Sequence, residues 1–600
     1  MLTLESLKVM AQTAADLTSV AREASEQARD YYDGWQLTRD EVAELKRRKQ
    51  PIIINNRIRR KVDAMVGIEQ RSRTDPRALP RNPRMEQAAD IATKALVYVD
   101  DTTRFDSKRS AAFENLLVEG YGGAEIVVEQ RQGKYEIVVN RLRWEEIFFD
   151  PSSREKDFSD AAFVGCMKWM SLDAAIAMYG EEHEEKLTQT VLGLDGETFE
   201  DRPLYENAFR WGDKNQRRVR VAQMYYRHKN TWHLAIFTGG GEISNTVSPY
   251  YDDMGEACCP MVLMSGYVDR ENRRSGVVRD MLSAQDEVNK RRSKSLHMLN
   301  SRQTQTVKGA VDPDRLKLEL AKPDGNVELD IDSVMGAREA GVPAFQILNN
   351  NDQLAGHFQL LVEAKNEIDM LGPNASLLGQ LQGDQSGRAI MAQQQAGLVE
   401  LSPIYDSLRD WTLRCYRQMW MRIKQYWTEE RWVRITDEVQ APQFIGLNVT
   451  QGYDPMTMQP IVQNPVAQMD VDIIIDEAPD VVTLRQEEFE QLAQLAQQGI
   501  PIPPEMLIEA SSVRNKQRLL ETMKAQQEAA MQAQMAGQQA QAAAMQAETQ
   551  AKVITAQAKA ELDMARAQKT MAETPGAAAK STDAQIQAAA KTVIARQVGL

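Results

Sequence analysis

Histidine and cysteine are scarce in this chain, which holds five of the first and four of the second among 600 residues. His183, His228, His233, His297 and His357 stand far apart, and neither His-Glu-x-x-His nor Cys-x-x-Cys occurs, so the common zinc arrangements are excluded. Cys166, Cys258, Cys259 and Cys415 are too few and too scattered for a disulfide framework, and the adjacent pair cannot easily chelate one metal; reduced, buried thiols are expected. There is no Gly-x-x-x-x-Gly-Lys-Ser/Thr and no Gly-x-Ser-x-Gly, which removes the phosphate loop of ATPases and the nucleophile elbow of hydrolases. No run of about eighteen apolar residues appears, and the start, Met1 to Lys8, lacks a basic-then-apolar signal pattern. The expectation is a non-enzymatic chain with no cofactor and no membrane span, made in a cytoplasm. A net charge of −14 further excludes a protein that grips nucleic acid over its whole surface, because such affinity comes from Lys and Arg neutralising phosphates.

What is present is size and order. Six hundred residues exceed a single core, and the aromatic residues lie almost wholly before residue 455, so a large folded part precedes a core-poor tail. The organising stretch runs from Ser275 to Trp427. Val278, Met281, Leu282, Gln285 and Val288 recur at helical spacing and predict a helix to Asn300. Its second half carries Lys290, Arg291, Arg292 and Lys294, and the span 273–302 holds eight basic against three acidic residues, a local reversal of the chain's charge. Residues 301–350 read as a small α+β insert, with turn signals at Asp312-Pro313 and Pro323-Asp324-Gly325. A second helix follows from Asp352 and stops at Gly372-Pro373. The segment Gly372–Gly387 then has four glycines, three glutamines and one charge, and predicts a mobile, nearly neutral loop. Beyond it a helix of about ten turns (388–427), marked by Leu401, Leu408, Trp411, Cys415, Met419 and Ile423, contains Pro403, which should kink it.

Earlier in the chain, polar helical sequence covers 1–50, and Ile58, Val62, Met65 and Val66 share one side of a further helix. Its cluster Arg57, Arg59, Arg60, Lys61 reads as a phosphate patch or, preferably, as a solvated face. A long helix is expected from Met85 to Gly120, then a hairpin over 124–140 turning at Gly133. Strands at 163–169, 218–227 and 231–237 surround a helix at Leu172–Tyr179. Gly239-Gly240-Gly241 is expected to be a hairpin turn, not a phosphate loop. His228 and His233 read as surface histidines, and Asp470, Asp472 and Asp476 as the solvated side of an alternating strand. Helices are expected over 481–498 and 504–524. The remainder, 525–600, is almost entirely Ala, Gln, Met, Glu and Lys, a helix-favouring tail too poor in large apolar residues to bury a core alone.

The order helix, insert, helix, glycine loop, kinked aromatic helix resembles the portal (head-to-tail connector) proteins of tailed bacteriophages, most closely the P22-type portals of short-tailed phages. The resemblance is one of architecture across most of the chain. It implies an α+β, mainly helical portal fold: a wing (1–270 and the β segment 428–480), stem helices (271–300 and 351–371), a clip (301–350), a tunnel loop (372–387), a kinked wing or tunnel helix (388–427), crown helices (481–524) and a helical barrel or partly disordered tail (525–600). It implies a homododecameric ring at one capsid vertex, part of the virion, through which a large terminase subunit drives double-stranded DNA and from which the genome later leaves. Further implied partners are the major capsid and scaffolding proteins and a tail adaptor. Leu377, Leu378, Gln380, Leu381, Gln382, Asp384 and Gln385 would face the DNA, with Gly372, Gly387 and Pro403 as hinges or kink, and the basic cluster at 290–294 would meet DNA or a neighbouring subunit's acids. The competing expectation is a self-associating coiled-coil scaffold without a channel, which would not need the insert.

Overall fold

The computed structural model describes residues 1–48, 50–193, 210–300, 303–320, 322, 324–348, 351–370, 387–434, 444–453, 460–475 and 549–567, with isolated positions between 489 and 523. The chain divides into two units, Met1–Leu484 and Arg485–Leu600. In the first unit α1 (Leu4–Asp33), α2 (Arg39–Arg47), α3 (Ile58–Ser72), β1 (Arg77–Pro80), α4 (Glu86–Thr103) and α5 (Phe105–Val118) lead to the hairpin β2 (Tyr121–Arg131) and β3 (Lys134–Leu142). Next come β4 (Ile147–Phe149), β5 (Phe163–Ser171), α6 (Leu172–Tyr179), α7 (Glu184–Leu192), β6 (Gly212–Asp213), β7 (Arg218–His228), β8 (Thr231–Thr238) and β9 (Gly241–Val247). After β10 (Met261–Ser265), β11 (Tyr267–Val268) and β12 (Arg274–Ser275) the chain enters α8 (Val278–Asn300). An insert of β13 (Gln303–Thr306), α9 (Pro313–Leu320), α10 (Ile331–Glu339) and β14 (Phe345–Leu348) separates it from α11 (Asn351–Met370). The unit closes with α12 (Gly387–Tyr426), β15 (Arg431–Arg434), β16 (Phe444–Leu447), β17 (Val449–Tyr453), β18 (Pro460–Gln463) and β19 (Val471–Ile474).

Helix α12 is the spine of the main core. Leu401, Ile404, Tyr405, Leu408, Trp411, Cys415, Met419 and Ile423 recur every three or four residues, so one stripe of the helix is buried against α3, α4, α5 and the sheet β10-β2-β3. Three of its aromatic side chains bring polar atoms inside and find partners there. Trp411 Nε1 donates to the Val262 carbonyl at 2.8 Å, Tyr405 Oη to the Met65 carbonyl at 2.7 Å and Tyr416 Oη to Asp100 Oδ1 at 2.9 Å. The helix runs through Pro403 as one element. The ring cannot donate to the Val399 carbonyl, but Val399 is 72% exposed, so water can replace the missing bond.

The expected helix over 85–120 is in fact two. Arg104 adopts φ 52° and its N–H closes α4 on the Asp100 and Asp101 carbonyls, after which α5 begins. The signal is weak in the sequence because an arginine, not a glycine, takes the left-handed position. The hairpin β2–β3 turns on Gln132 (φ 51°) and Gly133 (φ 79°), both left-handed as a two-residue primed turn requires. Strand β19 returns to β1, with Val471 and Ile473 inward and Asp472 outward, the alternation read from the sequence.

Asp100 offers a pH test of this packing. Burial, with Asp106 adding like charge, pushes its carboxyl up to about 7 from an unfolded value near 4. A raised folded value means the folded chain holds the proton more tightly than the unfolded one, so this group makes stability fall as pH rises from about 4 to 7. Asp100→Asn keeps the acceptor for Tyr416 and removes the charge. Urea unfolding at pH 8 should show the variant roughly 2–4 kcal/mol more stable, with the gain vanishing below about pH 4. A pH-independent difference would show that Asp100 does not titrate in this way.

Candidate functional site on the helix pair and its insert

Helices α8 and α11 pack through Ala284, Val288, Leu361, Ala364 and Ile368. The chain joining them folds back on itself, because β13 and β14 are antiparallel with Gln303 opposite Leu348 and Thr306 opposite Phe345. The two helices therefore run in opposite directions with the insert at their shared end. Asp330 caps α10 by accepting from the Ser333 N–H at 3.1 Å, and Arg315 pairs with Glu328 at 2.9 Å, so the insert is held by turns, caps and surface ion pairs. Its apolar side chains are mostly outside: Leu318 is 63%, Ile331 76% and Met335 59% exposed.

The root of α8 is fixed by a buried polar ladder absent from the sequence reading. Gln285, Asn289 and Ser293 lie one turn apart on one face and are at most 7% exposed. The Arg57 N–H donates to Gln285 Oε1 at 3.0 Å, Gln285 Nε2 donates to the Asn55 carbonyl at 2.8 Å, and the Asn55 N–H donates to Asn289 Oδ1 at 2.9 Å. Ile53 N–H reaches Ser293 Oγ at 3.3 Å, and Asn289 Nδ2 donates to Gln36 Oε1 at 2.6 Å. Segment 53–57 belongs to no sheet, so α8 side chains supply the partners for its half-buried backbone. Polar residues at i, i+4 and i+8 were the available signal.

The cluster at 57–61 is neither a phosphate patch nor simply a solvated face. Lys61 is 4% exposed and its Nζ donates to the Asp369 carbonyl at 2.9 Å. Arg57 donates to the Lys365 carbonyl at 3.3 Å and pairs with the Asp369 carboxylate at 3.1 Å. Two cations thus hold the last turn of α11, where carbonyls lack helical partners and the dipole favours positive charge. Arg59 faces Asp63 at 3.8 Å and the Tyr32 ring at 5.8 Å, and Arg60 is exposed.

Of the basic cluster on α8, Lys290 pairs with Asp286 at 3.4 Å and Arg291 with Glu287, each within its own helix. Arg292 and Lys294 are exposed and have no ion-pair partner among the described residues. Burial and the neighbouring charges of Lys294 and Arg291 hold His357 of α11 below its ordinary value. Leu377, Leu378, Gln380, Leu381, Gln382, Asp384, Gln385 and Gly372 lie outside the described residues, and Gly387 is the first residue of α12. Asp476 and most of 481–524 are outside them too.

The catalytic candidates resolve into structure. His233 is buried, stacked on Tyr226 at 5.2 Å, and meets His228 edge-on at 5.9 Å, a correction to the surface pair expected. Asp470 and Asp472 lie on the solvated side expected of their strand, with side chains 58% and 56% exposed, and clasp Arg81 there at 2.8 and 2.6 Å. Gly239-Gly240 turns between β8 and β9, and a Cβ on Gly240 would stand 2.3 Å from the Lys186 carbonyl, so close approach of α7 explains the glycine. Among the described residues no group of three or more His, Cys, Asp or Glu could hold a metal, and no helix is long and apolar enough to cross a membrane.

Comparison with known proteins gives two matches of the same kind. The sequence model of the phage P22-like portal protein family matches residues 9–570. The portal protein of Helicobacter pylori bacteriophage KHP30 is 22% identical over 435 residues, which cover 70% of this chain and 66% of that protein, just under two thirds of its length.

Proposed function

Because the chain belongs to the phage P22-like portal protein family, a family of structural proteins rather than enzymes, we propose that it forms the ring channel at one capsid vertex. In this reading DNA enters through the ring axis under the power of a separate terminase and later leaves by the same route. The match over residues 9–570 carries the proposal. The structure supports it by what a single copy leaves uncovered: Phe358, Leu360 and Val362 on α11 are 45%, 40% and 53% exposed, and apolar side chains of the insert are bare as well. In the second unit a helix spans 549–567 with every side chain exposed. Such a helix needs neighbours to be stable in water, and copies arranged around an axis would supply them. The insert would dock the terminase and then the tail adaptor, α8 and α11 would line the channel, and Arg292 and Lys294 would be the cations left for phosphate or a neighbour's acids. The remaining β-rich part would meet capsid and scaffold.

Negative-stain images and native mass spectrometry of the purified chain test the assembly. Closed rings, of twelve copies if the family pattern holds, are the expected result; open fibres or small coiled-coil oligomers would defeat the proposal. The channel itself is tested at Gly372–Gly387. A passage for any sequence cannot hold phosphates tightly, since each added Lys releases counterions and gains affinity. Replacing Gln380, Gln382 and Gln385 by Lys should therefore slow packaging and raise DNA retention in rings of normal mass. Packaging and retention at the unmodified level would place this loop away from the DNA.

A further inference from the structure

A cavity of about 330 Å³ opens where α4, α5 and β3 meet the residues just after α12. We propose that it binds a small oxyanion of the phosphate class, free or carried on a small molecule. The inference is independent of the channel and rests on the lining. Arg104, Lys108, Arg131 and Arg431 face the space against one carboxylate, Glu136, in a chain whose net charge is −14. Arg131 is engaged by Glu129 at 2.8 Å, and Arg431 lies 3.9 Å from Glu136 with its guanidinium over the Trp427 ring. Arg104 and Lys108 have no carboxylate within ion-pair distance among the described residues, yet they stand one turn apart on the same wall. Burial and the charge of Arg104 hold Lys108 below the ordinary lysine value, the mark of a repulsion left standing.

A second, independent feature points to the same ligand. Trp427 lines the cavity, is 5% exposed, and its Nε1–H has no acceptor among the described residues. A buried donor without a partner is destabilising, so an acceptor arriving from outside would recover that loss. The hydroxyls of Thr102 and Thr103 already donate to the Tyr98 and Val99 carbonyls, at 2.8 and 2.7 Å. Apart from Glu136, the charged and N–H groups facing the cavity are donors. A ligand that only accepts and carries more than one negative charge fits them, whereas a sugar or an amine does not. The walls of Ile137 and Val138 are apolar and the volume is at the lower end for ligand pockets, which favours a compact ligand.

The experiment uses the purified full chain and pyrophosphate as probe, titrated by calorimetry and by thermal shift at constant ionic strength, with acetate as a monovalent control. Saturable binding of one pyrophosphate per chain is expected, weakened roughly tenfold or more in Lys108→Met and retained in Lys108→Arg. Trp427→Phe should weaken it several-fold. Without pyrophosphate, Lys108→Met should melt at a higher temperature than the unmodified chain, because one of two neighbouring cations is gone; with pyrophosphate the order should narrow or reverse. A lysine with a merely structural role would give the opposite sign in the unliganded comparison. No binding up to about 10 mM, or equal binding by Lys108→Met, overturns the proposal. Loss of assembly in Lys108→Met with no response to pyrophosphate overturns it as well, by assigning the cavity to an acidic side chain of a second copy.

Discussion

Gly276→Ala will cost the fold about 3 kcal/mol or more and will detach the start of α8 from the body of the first unit. A Cβ at position 276 would stand 2.1 Å from the Leu117 carbonyl oxygen and 2.8 Å from that of Leu116, so it meets backbone with no rotamer to escape into. The partner position is as tight: Gly120 has φ +92° and its Cβ would lie 2.2 Å from the Ser275 carbonyl carbon. These two glycines let the α5–β2 corner and the strand leading to α8 touch main chain to main chain, and the Gly266 N–H donates to the Gly120 carbonyl at 2.9 Å across the same junction. Because α8 leaves directly from this junction, any separation there changes where α8, α11 and the insert point. Urea unfolding and ring images of the variant are the measurements. Gly67→Ala is the control, since a Cβ in α3 meets nothing within 4 Å and should leave stability unchanged or raise it by up to about 1 kcal/mol. Equal stabilities for the two variants would refute the close-approach account.

Glu69→Ala is expected to cost a similar amount by a different route, about 3–5 kcal/mol. Glu69 is fully buried on α3; its carboxylate accepts from Arg73 at 2.8 Å and Ser110 Oγ at 2.6 Å and forms an ion pair with the Arg109 guanidinium at 3.3 Å. Arg109 is only 2% exposed, so deleting the carboxylate takes a counter-charge from a guanidinium that has almost no water to turn to. Arg73 is less affected, because it is partly exposed and also faces Asp106 at 3.3 Å. Glu69→Gln keeps the shape and the acceptor for Ser110 but not the charge, and should fall between the two. If the Ala and Gln variants both unfold like the unmodified chain, the buried pairing at Glu69 does not stabilise the fold. The cluster ties α3 to α5, the same body on which the Gly120–Gly276 junction rests.

Periodicity in the sequence was enough for elements whose apolar residues face one side. The helix at Leu172–Tyr179 has the expected bounds, and α8, the α+β insert and α11 follow in the order read from the chain, since a 3.6-residue repeat and Gly or Pro stops are local properties. The hairpin of β2 and β3 and the inward Val471 and Ile473 of β19 were legible for the same reason, and the order of the elements was enough to suggest the portal family. Tertiary structure alone decided what polar residues do. Lys61 and Arg57 looked like a charged helix face until α11, some three hundred residues later, brought its last carbonyls to them. Asp470 and Asp472 stay solvated as read, but that they share Arg81 is decided by the fold, and Gln285 looked like part of an amphipathic stripe until a segment without a sheet needed its amide. The physical reason is the cost of burial. Apolar groups gain by leaving water whichever partner they meet, so their pattern can be read alone, whereas a buried charge or amide is tolerated only beside a particular partner that the local sequence does not contain.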